Sequence, residues 1–182
     1  MKILITGGSG YVGTRLINLL LDKTDIEIIN YDISLYGDDH LPKNNRFKYL
    51  KKDIRDNIAF QEALKDKVDK VLHLACISND PSFELNSKLS KEVNFDCFKD
   101  LVTTSKKMGV KKFIYASTSS VYGVSDSPNV DEGHPLKPIT EYNDYKGKCE
   151  SILLDQISET FEGIIIRPAT VCGYSEKMRF DL

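Results

Sequence analysis

Short apolar runs alternate along this chain with longer stretches in which apolar residues recur at helical spacing. Lys2 to Thr6 is a compact apolar run ending in glycines, so it reads as a buried strand. Val12, Leu16, Leu19 and Leu20 then share one face at helical spacing. Ile26 to Tyr31 reads as a second strand, and Phe47 to Leu50 as a third, followed by a helix over Asp56 to Lys65. Val68 to Leu74 is a fourth strand. A long helix is predicted from Leu89 to Met108, stopped by Gly109, a residue type favoured just past a helix end. Lys112 to Ala116 gives a fifth strand, and a helix over Tyr142 to Thr160 leads into a sixth, Gly163 to Arg167.

Strands alternating with helices predict an α/β fold built from parallel βαβ units. The expected architecture is a Rossmann-type doubly wound parallel sheet of about six strands, with helices on both faces. A length of 182 residues fits one domain with a sizeable core. The stretch from Gly123 to Thr140, with Pro128, Pro135 and Pro138, is long and irregular, as functional or mobile loops are.

Composition then removes several classes of function. Lys plus Arg number 25 against 27 Asp plus Glu, and no basic stripe suggests a nucleic-acid partner. The lysine pairs at 51–52, 106–107 and 111–112 read as solvated faces. No apolar run approaches the ~20 residues of a membrane span, and Met-Lys enters a strand without a signal-peptide core. The expectation is a cytoplasmic protein with no membrane partner. Cys76, Cys97, Cys149 and Cys172 are far apart; they could form two disulfides, but reduced thiols are expected. With His40, His73 and His134 they show no metal-ligand spacing, so no metal is expected.

Gly7-Gly8-Ser9-Gly10-Tyr11-Val12-Gly13 stands where the first strand meets the first helix. Gly7 and Gly10 permit a tight turn and close approach of backbone to a pyrophosphate. Gly13 lets the helix pack on the strand, and the helix N-terminus offers partial positive charge. A glycine-rich turn without a ligand is the alternative. Asp32 ends the next strand, 19 positions past Gly13, which is the context a dinucleotide fingerprint requires. Its carboxylate can accept from both ribose hydroxyls, and Ile33 and Ser34 offer no cation for a 2′-phosphate. NAD is therefore expected over NADP. Arg15 is a candidate counter-ion or a plain surface residue. Asp53 is either a helix N-cap or an acceptor for the adenine amino group.

Tyr142 and Lys146 are four apart on a helix face that also carries Cys149 and Leu153, with Ile157 nearby. That face is expected to turn toward the sheet, where a lysine needs partners. A tyrosine, with a free pKa of about 10, becomes a usable base when a cation stabilises its phenolate. A core-edge tyrosine beside a snorkelling lysine is the plainer reading. The fifth strand ends in the hydroxyl cluster Ser117-Thr118-Ser119-Ser120, at the sheet edge where ligands bind, or where hydroxyls simply cap a loop.

Taken in order, these pieces resemble the extended short-chain dehydrogenase/reductases, the NAD-dependent epimerase/dehydratase family acting mostly on nucleotide sugars. The matching segments are Gly7 to Gly13, Asp53-Ile54, His73-Leu74-Ala75-Cys76, Val93-Asn94, Ser117 to Gly123, Tyr142 with Lys146, and Arg167 to Gly173. The resemblance implies Tyr142 as acid/base, Lys146 as its activator and ribose ligand, and Thr118 as the hydroxyl that orients substrate. It implies NAD contacts along Gly7, Gly10, Tyr11, Val12, Gly13, Asp32, Asp53, Ile54, Leu74, Ala75 and Cys76, with Asn94 shaping the site. Pro168 and Val171 would lie by the nicotinamide amide. Dehydratases of this family carry an Asp-Glu pair after the threonine; Ser119 and Ser120 stand there, which argues against dehydration.

Family members run well beyond a chain that stops at Phe180-Asp181-Leu182, so the resemblance implies that the substrate-binding C-terminal part is missing. The chain would be a fragment, a truncated product or a short member. An NAD-dependent nucleotide-sugar epimerase, or its cofactor part, leads the functional readings. A sugar-nucleotide dehydrogenase or reductase, and a non-catalytic NAD-binding protein, are the alternatives. A homodimer through the helices beginning near Leu89 and Tyr142 is compatible with an exposed Phe95.

Overall fold

The computed structural model describes residues 1–78 and 80–178. Asn79 and the closing residues 179–182, with Phe180-Asp181-Leu182 among them, lie outside the described residues. Six parallel strands form the sheet: β1 (Lys2–Thr6), β2 (Glu27–Asp32), β3 (Phe47–Lys51), β4 (Lys70–His73), β5 (Lys112–Ala116) and β6 (Glu162–Ile166). Their order is β3-β2-β1-β4-β5-β6, so the winding reverses between β1 and β4. Helices cover both faces, as the burial of β1 on both its faces requires. Ile3 and Ile5 meet Ile17 and Leu21 of α1 (Tyr11–Lys23). Leu4 faces the opposite cluster, with Phe60 of α2 (Asn57–Leu64), Phe98 and Leu101, and Cys149 and Leu153.

The apolar stripe of α1 is rotated from expectation. Gly13, Thr14, Ile17 and Leu21 are buried, while Val12 and Leu19 are exposed. The cause is Gly13: a Cβ there would stand 2.5 Å from the Gly8 Cα, so its side of the helix must face the strand. The helix expected over Leu89 to Met108 is also broken. It consists of the end of α4 (Ser87–Lys91), one π-helical turn over Glu92–Asp96, and α5 (Phe98–Lys107), and a separate short helix, α3 (Asp80–Glu84), precedes it. No proline or glycine forces the break; long-range contacts at Asn94 hold it, as shown below.

Residues over 119–122 form a 3-10 turn, and α6 (Glu141–Leu154) ends six residues before the expected Thr160. Gln156 and Ile157 donate to Leu153 and Leu154 in tight turns, and Phe161, 1% exposed, draws the chain back into the core. Among the described residues no helix is long and apolar enough to cross a membrane. The four cysteines are free thiols. Phe95 is half-buried rather than exposed, stacked on Tyr145 with ring centres 5.0 Å apart.

Candidate active site

The winding reversal places the carboxyl ends of β1 and β4 side by side, and the glycine turn fills the angle between them. Gly7 adopts φ +73, and a Cβ there would lie 2.5 Å from the Ala75 nitrogen. Only glycine fits so close to another backbone. Gly10 caps α1 in extended conformation without a side-chain hydrogen bond, and no acidic residue sits in the first turn. By contrast, Asp56, Asn86 and Thr140 cap α2, α4 and α6. A turn with no Cβ at Gly7, Gly8, Gly10 and Gly13, leading into an uncapped helix start, fits a pyrophosphate. Tyr11 is held from behind: its hydroxyl donates to the Gly173 carbonyl, and its own carbonyl accepts from Ser175 Oγ at 2.7 Å. Val12 stands exposed beside it.

Asp32 is fixed at the end of β2. One oxygen accepts from the Ser9 N–H at 2.9 Å and the other from the Ser34 N–H at 2.7 Å. Behind it runs a polar chain with no signature in the sequence: Asn30 Nδ2 and Ser34 Oγ donate to Ser9 Oγ, and Tyr49 donates to Ser34 Oγ. His40 Nε2 lies 3.0 Å from the Ser9 carbonyl. Arg15 points elsewhere, 3.9 Å from Glu176, with its side chain 57% exposed.

Asp53 is not a helix cap. Asp56 caps α2, accepting from the Ala59 N–H at 3.0 Å. The Asp53 carboxylate takes the Arg55 guanidinium at 2.7 Å, and hydrogen bonding to Arg55 holds it below the usual carboxylate range. Arg55 also pairs with Glu92 at 2.8 Å. Ile54 is buried beneath.

Past β4, Leu74 donates to the Thr6 carbonyl, and Leu74, Ala75 and Cys76 are half-buried. Thr6 Oγ1 is 2.7 Å from His73 Nδ1, and burial pushes His73 down to about 3, helped by the charge of Lys146. Asn94, 3% exposed, spends its side chain on one neighbour. Its oxygen accepts from the Ile77 N–H at 2.8 Å and its amide donates to the Ile77 carbonyl at 2.9 Å. Its own carbonyl accepts from Cys149 Sγ at 3.3 Å. These bonds tie the π-helical turn to the loop after β4 and to α6, and π turns frequently mark functional positions. Burial pushes the Cys149 thiol up to about 12, so it stays a neutral donor.

Lys146 is 4% exposed, an ammonium inside the fold. It donates to the Ala116 carbonyl at 2.8 Å and stands 5.0 Å from the Tyr115 ring centre and 5.8 Å from that of Tyr142. Tyr142 is half-buried, with Phe83 edge-on at 6.3 Å. The shared face of Tyr142 and Lys146 therefore does turn inward, though Ile157 lies past the helix and is exposed. Thr118 Oγ1 accepts from the Ser120 N–H at 3.2 Å, capping the 3-10 turn. Pro168 pairs its carbonyl with the Ser119 N–H at 2.9 Å, and Val171 is exposed.

Two residues join this group whose pairing no local sequence pattern announces. Glu150, one turn beyond Lys146, is buried against Arg167, which follows β6, at 2.6 Å. A charged residue on the inward stripe of α6 is the one available signal. Among the described residues, no cluster of His, Cys, Asp and Glu could hold a metal ion.

Residues 3–181 match the NAD dependent epimerase/dehydratase family. The chain belongs to that family. Relatives in it include mouse dTDP-D-glucose 4,6-dehydratase, 31% identical over 189 residues, covering 97% of this chain and 53% of the relative. UDP-glucose 4-epimerase of Lactobacillus helveticus is 26% identical over 155 residues, covering 84% and 46%. The structure of the UDP-Glc/GlcNAc 4-epimerase from Campylobacter jejuni superposes with a TM-score of 0.83 at 31% identity, covering 91% of this chain and 52% of that one. The Bordetella bronchiseptica enzyme WbmG, in complex with NAD, gives 0.80 at 25% identity, covering 92% and 52%. The chain spans about half the length of the curated relatives it matches.

Proposed function

We propose that this chain is the NAD-binding part of a nucleotide-sugar epimerase. The observation that carries the reading is Lys146: a buried ammonium set between the Ala116 carbonyl and the Tyr142 ring, at the ligand edge of the sheet. A buried cation in that position is costly unless something else there uses it. A phenolate and a ribose are such users.

The cradle of Gly7, Gly10, Tyr11, Val12 and Gly13 would hold the pyrophosphate. Asp32 would hold the adenosine ribose, and Asp53 with Ile54 would flank the adenine. Leu74, Ala75, Cys76 and Asn94 would line the middle, and Lys146, Pro168 and Val171 the nicotinamide end. NAD, when bound, supplies a reversible acceptor for a hydride leaving a sugar carbon. Tyr142 takes the proton of the hydroxyl on that carbon as the carbonyl forms, and gives it back to the same oxygen. Lys146 stabilises the phenolate in between, and the Thr118 hydroxyl orients the sugar. Inversion requires the sugar to present its other face before the hydride would return to the carbon, with Tyr142 reprotonating the oxygen. Ser119 and Ser120, in place of an acid pair, favour epimerisation over the loss of water. The similarity to UDP-glucose 4-epimerases and to dTDP-D-glucose 4,6-dehydratases supports a nucleotide-sugar substrate.

Calorimetric titration of NAD into the chain tests the assignment. Tyr142→Phe is expected to leave affinity nearly intact, while Lys146→Ala lowers it by about tenfold or more, roughly 1.4 kcal/mol. A chain that binds no NAD, or a Lys146→Ala variant with full affinity, contradicts the reading.

A further inference from the structure

The stripe of α6 that carries Tyr142 and Lys146 has a third member at the same four-residue step. Glu150 is 2% exposed. A carboxylate so placed is costly unless its oxygens are paired, and its partners come from both neighbouring strand ends. The Ser117 hydroxyl, just past β5, donates to Oε1. The Arg167 guanidinium, just past β6, forks across both oxygens, with Nε at 3.1 and 3.2 Å and Nη2 at 2.6 Å. Its remaining nitrogen donates to the Tyr122 hydroxyl at 2.7 Å and to the Glu132 carbonyl at 3.1 Å.

Each of these groups adjoins a residue assigned to the nicotinamide end or, for Thr118, to the sugar held against it. Ser117 precedes Thr118, Arg167 precedes Pro168, and Glu150 lies one turn past Lys146. Backbone bonds from Ser117 to the Ile166 carbonyl and from Ser119 to the Pro168 carbonyl join β5 to β6. They do not include α6; Glu150 does.

We propose that Glu150 and Arg167 are positioning residues, a clamp that sets Thr118, Lys146 and Pro168 in one arrangement and so fixes the nicotinamide end of the site. The proposal rests on the assignment of that end made above. Stability alone does not explain the pair, because well-packed apolar residues of similar volume often serve a buried site as well. What an apolar pair cannot reproduce is the planar fork, which sets direction as well as contact.

The test compares NAD with ADP, which engages only the adenosine and pyrophosphate end, in the E150M/R167M double variant. Thermal unfolding checks the fold, and calorimetry gives both affinities. Unfolding is expected at or above the temperature of the unaltered chain, with ADP affinity within about twofold. NAD affinity is expected to fall by about tenfold, so that its advantage over ADP shrinks. An unchanged advantage in a folded variant overturns the clamp. Should the double variant not fold, R167K decides: it keeps the charge and gives up the fork. A loss of roughly threefold or more in the NAD advantage supports the proposal, and an unchanged advantage overturns it. An unaltered chain that binds NAD no better than ADP removes the assignment of the nicotinamide end itself, and the clamp falls with it. That outcome is visible before any variant is made.

Discussion

The ammonium of Lys146 stands 5.8 Å from the centre of the Tyr142 ring, and its charge reaches across to the carboxyl end of β4. There it adds to burial in holding His73 down to about 3. His73 packs among Phe98, Phe113 and Tyr115, with Thr6 Oγ1 at its Nδ1.

A consequence is acid sensitivity with a defined window. Folded, His73 stays neutral; unfolded, it takes a proton near its ordinary value of about 6.5, so acid favours the unfolded chain. The stability it contributes is complete above about pH 6.5 and drains away as pH falls toward about 3. Between pH 7 and 5.5 the loss should be about 1 kcal/mol, measured by urea unfolding. In His73→Gln that part of the slope should vanish; an identical slope would show that His73 takes up its proton alike in the folded and the unfolded chain. In Lys146→Met, an NMR titration should find the His73 pKa raised, yet still depressed by burial.

Gly7 and Gly109 separate strain from collision. Both have positive φ, +73 and +82. A Cβ at Gly7 meets the Ala75 backbone at 2.5 Å, whereas one at Gly109 meets nothing within 4 Å. Gly109→Ala should cost about 1–2 kcal/mol, the left-handed penalty alone. Gly7→Ala should cost clearly more and weaken NAD binding as well. Equal losses in chemical denaturation would mean that the cradle yields freely.

These positions also show how much of the fold is legible in the sequence alone. The strands are legible because a buried parallel sheet demands compact apolar runs, and Lys2 to Thr6 or Lys112 to Ala116 can be little else. The cradle is legible because its glycines are consecutive in sequence. The π-helical turn at Glu92–Asp96 is not, since nothing local distinguishes it from the helix around it. It exists for the bonds of Asn94 to Ile77 and of Cys149 to Asn94, which topology brings together. Glu150 and Arg167 are hidden for the same reason: neither residue names its partner 17 positions away. The rotated face of α1 was set by the lack of a side chain at Gly13, which hydrophobic periodicity does not weigh.

Purified as it stands, the 182-residue chain should bind NAD yet turn over no nucleotide sugar. The local material for a wall over the site is the 123–140 loop. It is tethered by Lys137 N–H to the Val121 carbonyl and by Arg167 to the Glu132 carbonyl, while Val124 and Ile139 remain exposed. A sugar held so loosely forfeits the orientation that can be worth ~7–11 kcal/mol. Assays against UDP-, GDP-, CDP- and dTDP-sugars check this. Robust epimerisation of any one would show that this chain suffices as a complete enzyme.

The choice of cofactor tests the account most directly. Asp32 is locked by the Ser9 and Ser34 N–H groups at 2.9 and 2.7 Å, so its carboxylate cannot swing aside for a 2′-phosphate without breaking both bonds. Calorimetry with NAD and NADP, on the unaltered chain and on Asp32→Ala, is the decisive measurement. NAD is expected to bind at least about tenfold more tightly than NADP, a difference of roughly 1.4 kcal/mol, and Asp32→Ala to narrow the gap by weakening NAD. Equal or reversed affinities in the unaltered chain would contradict it.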